Sequence, residues 1–167
     1  MRVLVTYGSR RGGTQGLAQQ VASELRAAGL VVEVKPVGDV RDITDYDAVI
    51  VGGAIYAGRW HKAARSFVTR HAAGLRNRQT YFFSSGPLDG TAIQRDIPPV
   101  RGVAELMRRV GARDHVTFGG RLSPYARGFM ASAMAEKHAG DWRDPGQVRD
   151  WARQVAAQLG HHERVSA

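Results

Sequence analysis

Short runs of apolar residues recur along the chain at wide spacing, and stretches with a different periodicity separate them. Runs of this length that are rich in β-branched and aromatic residues are typical of strands. Residues 2–7 and 47–53 are almost continuously apolar, as expected for strands that are covered on both faces. Five strands are therefore predicted: RVLVTY (2–7), VVEVKPV (31–37), DAVIVGG (47–53), TYFFSS (80–85) and HVTFGG (115–120).

The segments between these runs have the spacing of amphipathic helices. In residues 14–29, Leu17, Val21 and Leu25 recur at every fourth position, and Gly29 follows as a stop signal. The pattern therefore predicts a helix directly after the first strand, with its apolar face turned to the sheet.

Three more helices are predicted from the same signals. Gly74 and Gly111 are expected to end the second and third helices, and Asp144 is expected to cap the fourth, with Pro145 at its first position. The predicted segments are HKAARSFVTRHAAG (61–74), VRGVAELMRRVGA (100–112) and DPGQVRDWARQVAAQLG (144–160).

Strands that alternate with helices predict an α/β doubly wound fold, a parallel sheet with helices on both faces. No linker or internal repeat divides the chain, so residues 1–160 are predicted to form one domain. Residues 161–167 show no pattern and are expected to be a disordered tail. His161 and His162 are expected to be solvated there, and no metal site is predicted.

Composition narrows the chemistry that the chain can carry. A formal net charge of +9 indicates an anionic partner such as a phosphate ligand, an acidic protein, a nucleic acid or an anionic membrane surface. The chain has no cysteine, which excludes disulfides, thiol catalysis and cysteine-ligated metal centres. No signal peptide or membrane span is predicted, and the expected location is the cytoplasm.

In a doubly wound sheet, ligands bind beyond the carboxyl ends of the strands. After the first predicted strand comes the loop SRRGGT (9–14), and then a helix. Unpaired N–H groups at the helix start, the glycines and the hydroxyls of Ser9 and Thr14 would suit a phosphate. A plain turn with Thr14 as the helix cap is the alternative. The Walker A lysine and the G-x-G-x-x-G spacing are both missing, which favours a monophosphate.

Two further loops follow the third and fourth predicted strands. The first of them, GGAIYAGRWH (52–61), has glycines on both sides of a short apolar segment. The other, SSGPLDG (84–90), is expected to form another tight loop. Each alone is compatible with an ordinary turn in which Tyr56 and Trp60 are packed. Together with the first loop they predict a site for flavin mononucleotide (FMN). The predicted contacts are Ser9, Arg10, Arg11, Gly12, Gly13 and Thr14, then Ala54, Ile55, Tyr56, Ala57 and Gly58, then Ser84, Ser85, Gly86 and Pro87.

The first loop also resembles a known motif. Flavodoxin-like proteins carry a phosphate loop S/T-x-T-G-x-T, and this sequence matches it at Ser9, Gly12 and Thr14 and differs at Arg11. The resemblance implies a flavodoxin-like fold with five parallel strands in the order 2-1-3-4-5, and FMN as the cofactor. The role of Arg10 and Arg11 is left open.

Longer stretches are similar to the flavodoxin-like protoporphyrinogen IX dehydrogenase (quinone) family and its uncharacterised relatives. These stretches are YDAVIVGGAIYAGRWHKAARSFVTRHAAGL (46–75) and FGGRLSPYARGFMASAMAEKHAGDWRDPGQVRDWA (118–152). Residues 84–102, where a substrate-facing loop is expected, resemble the family least.

This resemblance implies an FMN-dependent oxidoreductase. Such an enzyme would take hydride equivalents from a reduced substrate, with a porphyrin as the candidate, and pass them to a quinone or a protein redox partner. A basic chain would suit the carboxylates of a porphyrin. No catalytic side chain is predicted. His61 is a candidate proton donor, with a histidine that merely starts a helix as the alternative.

Other functions remain open. The chain could be an FMN-bound electron-transfer protein without its own substrate, or an FMN-binding regulator. Nucleic-acid binding would rest on charge alone, and the arginines are scattered over several segments, so no nucleic-acid partner is predicted. Residues 125–138 are predicted to form a helix that makes peripheral contact with the inner face of the membrane, packs on its own domain or forms a homodimer interface.

Overall fold

The computed structural model describes residues 1–9, 12–86, 96–122, 140–141 and 143–166. The strands are β1 (Arg2–Gly8), β2 (Val31–Pro36), β3 (Ala48–Tyr56), β4 (Arg59–Trp60), β5 (Gln79–Ser85), β6 (Asp114–Phe118), β7 (Arg121–Leu122) and β8 (Gly140–Asp141). The helices are α1 (Gly13–Ala27), α2 (Lys62–Arg70), α3 (Ala72–Arg76), α4 (Arg101–Val110) and α5 (Pro145–Ser166), with a short 3-10 helix at Val37–Asp39. Among the predicted features, Arg10, Arg11, Pro87 and the helix at 125–138 lie outside the described residues.

The five long strands form a parallel sheet in the order β2-β1-β3-β5-β6. Counted without the two-residue strand β4, this is the predicted order 2-1-3-4-5, so the predicted fold class is confirmed. Strand β4 turns back antiparallel onto the end of β3. Strands β7 and β8 form a separate antiparallel pair that the sequence pattern did not predict.

Each face of the sheet buries its own apolar cluster, because side chains alternate along a strand. Val3 and Val5 of β1 face the layer of α1 and α5, whereas Leu4 between them faces the layer of α2, α3 and α4. Phe83 and Phe82 of β5 divide in the same way. This burial on both faces explains the continuous apolar runs in the sequence.

Two of the predicted helix boundaries are confirmed. Helix α4 ends at Gly111, which has φ 66°, a left-handed conformation that glycine adopts without strain. Helix α5 begins at Pro145, where the Asp144 carboxylate accepts a hydrogen bond from the N–H of Gly146 at 2.9 Å. No described helix is long and apolar enough to cross a membrane.

Two other boundaries were predicted wrongly. The break after α2 falls at His71, and Gly74 lies inside α3 instead of ending a helix. A Cβ on Gly74 would lie 3.0 Å from Cδ1 of Ile43, so this glycine makes room for a neighbouring side chain. Helix α5 runs to Ser166, through most of the segment 161–167 for which a disordered tail was predicted.

The carboxyl end of β1 lies directly against the start of α2. A Cβ on Gly8 would lie 2.7 Å from the backbone nitrogen of Ala64 and 2.8 Å from its Cβ. Ala64 is fully buried in the cluster beneath α2, so it has little room to move away. Glycine at position 8 therefore sets how closely α2 can approach the sheet at this edge.

Gly8→Ala should lower the free energy of unfolding by about 1–3 kcal/mol, because the new methyl group overlaps the α2 backbone. Gly38→Ala is the matched control, since a Cβ there meets nothing within 4 Å. Denaturant unfolding of both variants measures the difference. Equal stability of the two variants would contradict the close contact between β1 and α2.

Candidate functional site

Three predicted loops leave neighbouring strands at the same level of the sheet. In the strand register, Gly8 of β1 is paired with Gly53 of β3, and Gly53 is paired with Ser84 of β5. These residues form one row across the carboxyl edge. The loops that follow them are therefore adjacent in space, as predicted for a site that all three loops form together.

The first loop leads into α1 through a glycine. Gly12 is the N-cap of α1, with φ 75°, and no side chain caps the helix. The alternative in which Thr14 serves as a cap is therefore wrong, because Thr14 is the second residue of the helix itself. The N–H groups of the first turn have no acceptor within the helix and are free to bind an anion.

Thr14 supplies the clearest sign that a ligand belongs here. The residue is 1% exposed, and its Oγ1 is buried without a hydrogen-bond partner among the described residues. Buried hydroxyls are nearly always hydrogen-bonded, since leaving one unpaired costs free energy. A phosphate group at the start of α1 would provide the missing acceptor, so this part of the site fits the cofactor that the sequence predicted.

Two arginines that sequence reasoning missed lie beside the first turns of α1. A Cβ on Gly13 would lie 3.4 Å from the Cβ and the carbonyl oxygen of Arg121, and a Cβ on Gly16 would lie 2.2 Å from Nη1 of Arg143. Gly16 thus leaves room for the Arg143 side chain on the surface of α1, whereas β7 lies at ordinary contact distance from Gly13. A glycine inside a helical pattern, at position 16, was the available signal.

Asp141 holds the Arg143 side chain in place. Nε of Arg143 donates to Oδ1 of Asp141 at 2.7 Å, and Nη2 donates to Oδ2. The bonds from Arg143 lower the pKa of the Asp141 carboxyl, and they raise the pKa of the Arg143 guanidinium. Arg121 lies farther away, with Nε 4.0 Å from Oδ2 of Asp141, and its side chain is 55% exposed. Arg121 is therefore the less neutralised of the two cations.

The second loop is a β-hairpin. Residues 54–56 continue strand β3, and the chain turns at Ala57 and Gly58 before it returns as β4. Both turn residues have positive φ, 48° for Ala57 and 71° for Gly58, as in a type I′ turn. Both are exposed, so the tip presents its backbone at the edge of the sheet.

The third loop begins deeper in the protein than the sequence suggested. Ser84 and Ser85 belong to β5 and are buried, and Gly86 follows with φ 139° and its N–H bonded to the carbonyl of Phe118 at 3.0 Å. The hydroxyl of Ser84 accepts a hydrogen bond from Nε1 of Trp60 at 2.8 Å. A ligand at this edge would therefore meet the backbone near Ser84 and not its hydroxyl.

Two histidines near the edge are fixed by the structure. His61 is the N-cap of α2, where its Nδ1 accepts a hydrogen bond from the N–H of Ala63 at 3.4 Å. His115, which the sequence analysis did not select, lies on β6 with Nε2 2.8 Å from Oγ of Ser84. Burial lowers the pKa of His115 to about 4, so its imidazole is neutral at pH 7.

Comparison with known proteins decides the family. The family model described as "Flavodoxin domain" matches residues 4–138, which include all three loops. The chain belongs to the flavodoxin-domain family. Homologues of the flavodoxin domain bind flavin, and curated relatives are named as dehydrogenases, so the predicted resemblance to flavodoxin-like proteins is confirmed.

Curated relatives match half or less of this flavodoxin-domain chain. The protoporphyrinogen IX dehydrogenase [quinone] of Escherichia coli (strain K12) is 33% identical over 86 residues, which is 50% of this chain and 48% of the relative. The NAD(P)H dehydrogenase (quinone) of Rhodopseudomonas palustris (strain BisA53) is 32% identical over 96 residues, 44% of this chain and 48% of the relative. The match thus spans about half the length of these relatives.

Solved structures show the same fold along nearly the whole flavodoxin-domain chain. A variant of the flavodoxin from Pseudomonas aeruginosa superposes with a TM-score of 0.64 at 17% identity, covering 96% of this chain and 99% of that one. The rubredoxin oxygen:oxidoreductase of Desulfovibrio gigas gives a TM-score of 0.65 at 18% identity, covering 96% of this chain and 36% of that one. At these identities the likeness concerns the fold.

His115→Gln should weaken the dependence of stability on pH. The folded chain holds His115 neutral, with its pKa lowered from 6.5 to about 4, so protonation of the unfolded chain lowers stability as the pH falls below about 6.5. The wild type should lose about 2 kcal/mol more than the variant between pH 8 and pH 5. Denaturant unfolding at both pH values measures this difference.

His71 is present in both proteins, so its own lowered pKa cancels in that comparison. The same pH dependence in wild type and variant would show that folding does not lower the pKa of His115.

Proposed function

We propose that this chain is an FMN-binding oxidoreductase that passes electrons from a reduced substrate to a quinone. The observation that carries the proposal is the buried, unpartnered hydroxyl of Thr14 in the first turn of α1. It lies where an anion would bind, at the end of the strand next to the one that carries the exposed hairpin tip. Membership in the flavodoxin-domain family supports flavin as the ligand.

The phosphate of FMN would be bound at the start of α1. Backbone N–H groups of the first turn, with Gly13 and Thr14 at its start, and the Thr14 hydroxyl would donate hydrogen bonds to it. The partial positive charge at the helix N-terminus favours an anion there. Arg121, which is half-exposed beside Gly13, adds a full positive charge. A single phosphate is sufficient for these donors, which supports FMN over a dinucleotide.

The flavin ring would lie beside the hairpin tip. Ala57 and Gly58 expose backbone N–H and C=O groups there, and the half-buried side chains of Ile55 and Tyr56 give an apolar border. When bound, FMN supplies the hydride and single-electron chemistry. The chain orients the ring against the tip and keeps water from the side that faces the sheet.

The substrate side of the proposal draws on the relatives and on charge. Both kinds of curated relative are named for a quinone, and one of them is named for protoporphyrinogen IX. A net charge of +9 favours an anionic substrate, and the carboxylates of a porphyrin meet that condition. The proposed reaction therefore oxidises a porphyrinogen-like donor and reduces a quinone.

The second candidate is an FMN-bound electron carrier without its own substrate. The two histidines described near the edge already make other contacts, since His61 caps α2 and the partly buried His115 lies within hydrogen-bond distance of Ser84. No described histidine there is left to exchange protons with a substrate. This observation favours a simple electron-transfer role, which only turnover separates from the enzyme.

Purified protein should bind FMN and take on the visible absorption of oxidised flavin. Thr14→Val keeps the shape of the side chain but removes the hydroxyl, so it should weaken FMN binding by about tenfold. Riboflavin, which has no phosphate, should bind wild type and variant equally. Fluorescence titration measures both affinities.

Thr69→Val is the matched control, because Thr69 is exposed on α2 and the same exchange there should change neither affinity. A chain that stays colourless after incubation with FMN would overturn the proposal. Equal losses of FMN and riboflavin affinity in Thr14→Val would place the phosphate elsewhere.

Turnover distinguishes the enzyme from the carrier. Under anaerobic conditions, FMN-loaded protein should oxidise protoporphyrinogen when menadione is supplied, and flavin-free protein should not. Porphyrin fluorescence reports the product. FMN-loaded protein that accepts electrons from a chemical reductant but never from protoporphyrinogen would support the carrier instead.

A further inference from the structure

The hairpin tip holds a strained backbone. Ala57 has φ 48°, and it is the one non-glycine residue with positive φ among the described residues. Side chains with a Cβ rarely adopt this conformation, and type I′ turns favour asparagine or glycine at this position. Strand β4 pairs with β3 through only two residues, Arg59 and Trp60. Something beyond the hairpin must therefore keep the turn in this shape.

Trp60 is the part of the hairpin that reaches into the protein. Its side chain is 2% exposed, and its indole lies so close to Gly53 that a Cβ there would be 2.4 Å from the ring. Phe82 packs against the indole with ring centroids 4.9 Å apart. These contacts fix the plane of the indole, but a half-turn about the Cβ–Cγ bond would keep the same plane and point Nε1 in another direction.

A hydrogen-bond chain fixes the direction of Nε1. The indole N–H can only donate, so Oγ of Ser84 accepts from Trp60 at 2.8 Å. The same hydroxyl lies 2.8 Å from Nε2 of His115, and it can bond to the neutral ring in either tautomer. These hydrogen bonds thus link β4 to β5 and β6. Trp60, Ser84 and His115 are all largely or fully shielded from water.

We infer that Ser84 and His115 are positioning residues for the flavin ring, which they serve by holding Trp60 and, through it, the strained turn at Ala57 and Gly58. This inference rests on the proposed function, because it takes the hairpin tip as the partner of the ring. Neither side chain contacts the ligand. Their effect is to hold the tip in one conformation before the flavin arrives, so that binding does not have to order it.

Three variants test the inference. Ser84→Ala and Trp60→Phe each remove the hydrogen bond between Trp60 and Ser84 and keep most of the packing. Trp151→Phe is the matched control, because that indole is also buried and donates to Asp114 at 2.9 Å, but it lies on the opposite face of the sheet. The readouts are the affinities for FMN and riboflavin, the midpoint potential of the bound flavin, and hydrogen exchange of hairpin amides in flavin-free protein.

Loss of the hydrogen bonds that join Trp60, Ser84 and His115 should weaken FMN and riboflavin binding alike, each by about tenfold. The flavin ring would lose its preformed partner, while the phosphate contacts persist. The midpoint potential should also shift, and the N–H of Trp60 and of residues 55–58 should exchange faster. Trp151→Phe should lower stability and leave these three readouts unchanged.

The failures are distinguishable. Wild-type protein that binds no flavin overturns the proposed function, and the inference with it. Flavin binding that Ser84→Ala and Trp60→Phe leave unchanged, with hairpin exchange also unchanged, overturns the inference alone. Loss of FMN affinity with riboflavin affinity intact would place the effect at the phosphate and would also overturn it.

Discussion

Side chains and a helix pack directly on the backbone of glycines at the carboxyl edge of the sheet, and the candidate site depends on this close contact. A Cβ on Gly52 would lie 2.1 Å from the Phe83 ring, and one on Gly53 would lie 2.4 Å from the Trp60 ring. Gly8 has the same relation to the backbone of α2. Protein interiors are close-packed, so these contacts leave the three loops little freedom at their roots. Close packing on these glycines thereby makes the backbone beneath the site rigid.

The fold brings many of the cationic side chains together in one layer. In the sequence the arginines are scattered over separate segments, but α2, α3 and α4 lie in one layer and bring many of them together. Glu105 is the one acidic residue on these three helices, and it pairs with Arg101 at 3.1 Å. The opposite layer carries matched pairs such as Arg153 with Glu24 at 3.5 Å. On α2, α3 and α4 cations therefore outnumber carboxylates, while the segment 37–47 in the same layer carries the exposed Asp39, Asp42, Asp45 and Asp47. The exposed cations on these helices are Lys62, Arg65, Arg70, Arg76, Arg101, Arg108 and Arg109.

The sequence was most informative where a single local rule decides the structure. The alternation of strands and helices, the stop at Gly111 and the adjacency of the three loops follow from periodicity and from the geometry of parallel sheets. The strand order came from the resemblance to flavodoxin-like proteins. The helix end at Gly74 was predicted wrongly because a glycine that makes room for a neighbour looks the same in sequence as one that ends a helix. The bond between Ser84 and His115 could not be predicted, since it joins residues 31 positions apart and depends on strand register. Arg121 was missed for the same reason, because its neighbour Gly13 is distant along the chain.

The contact between Arg143 and Gly16 has a consequence for how the protein folds. Helix α1 packs beside α5, and its Gly16 meets Arg143, although both of these partners are far from α1 along the chain. Contacts between such distant parts of a chain form late, because the intervening loop must close first. The surroundings of α1 are thus completed late in folding. A partly folded chain that lacks these contacts would leave this side of α1 uncovered.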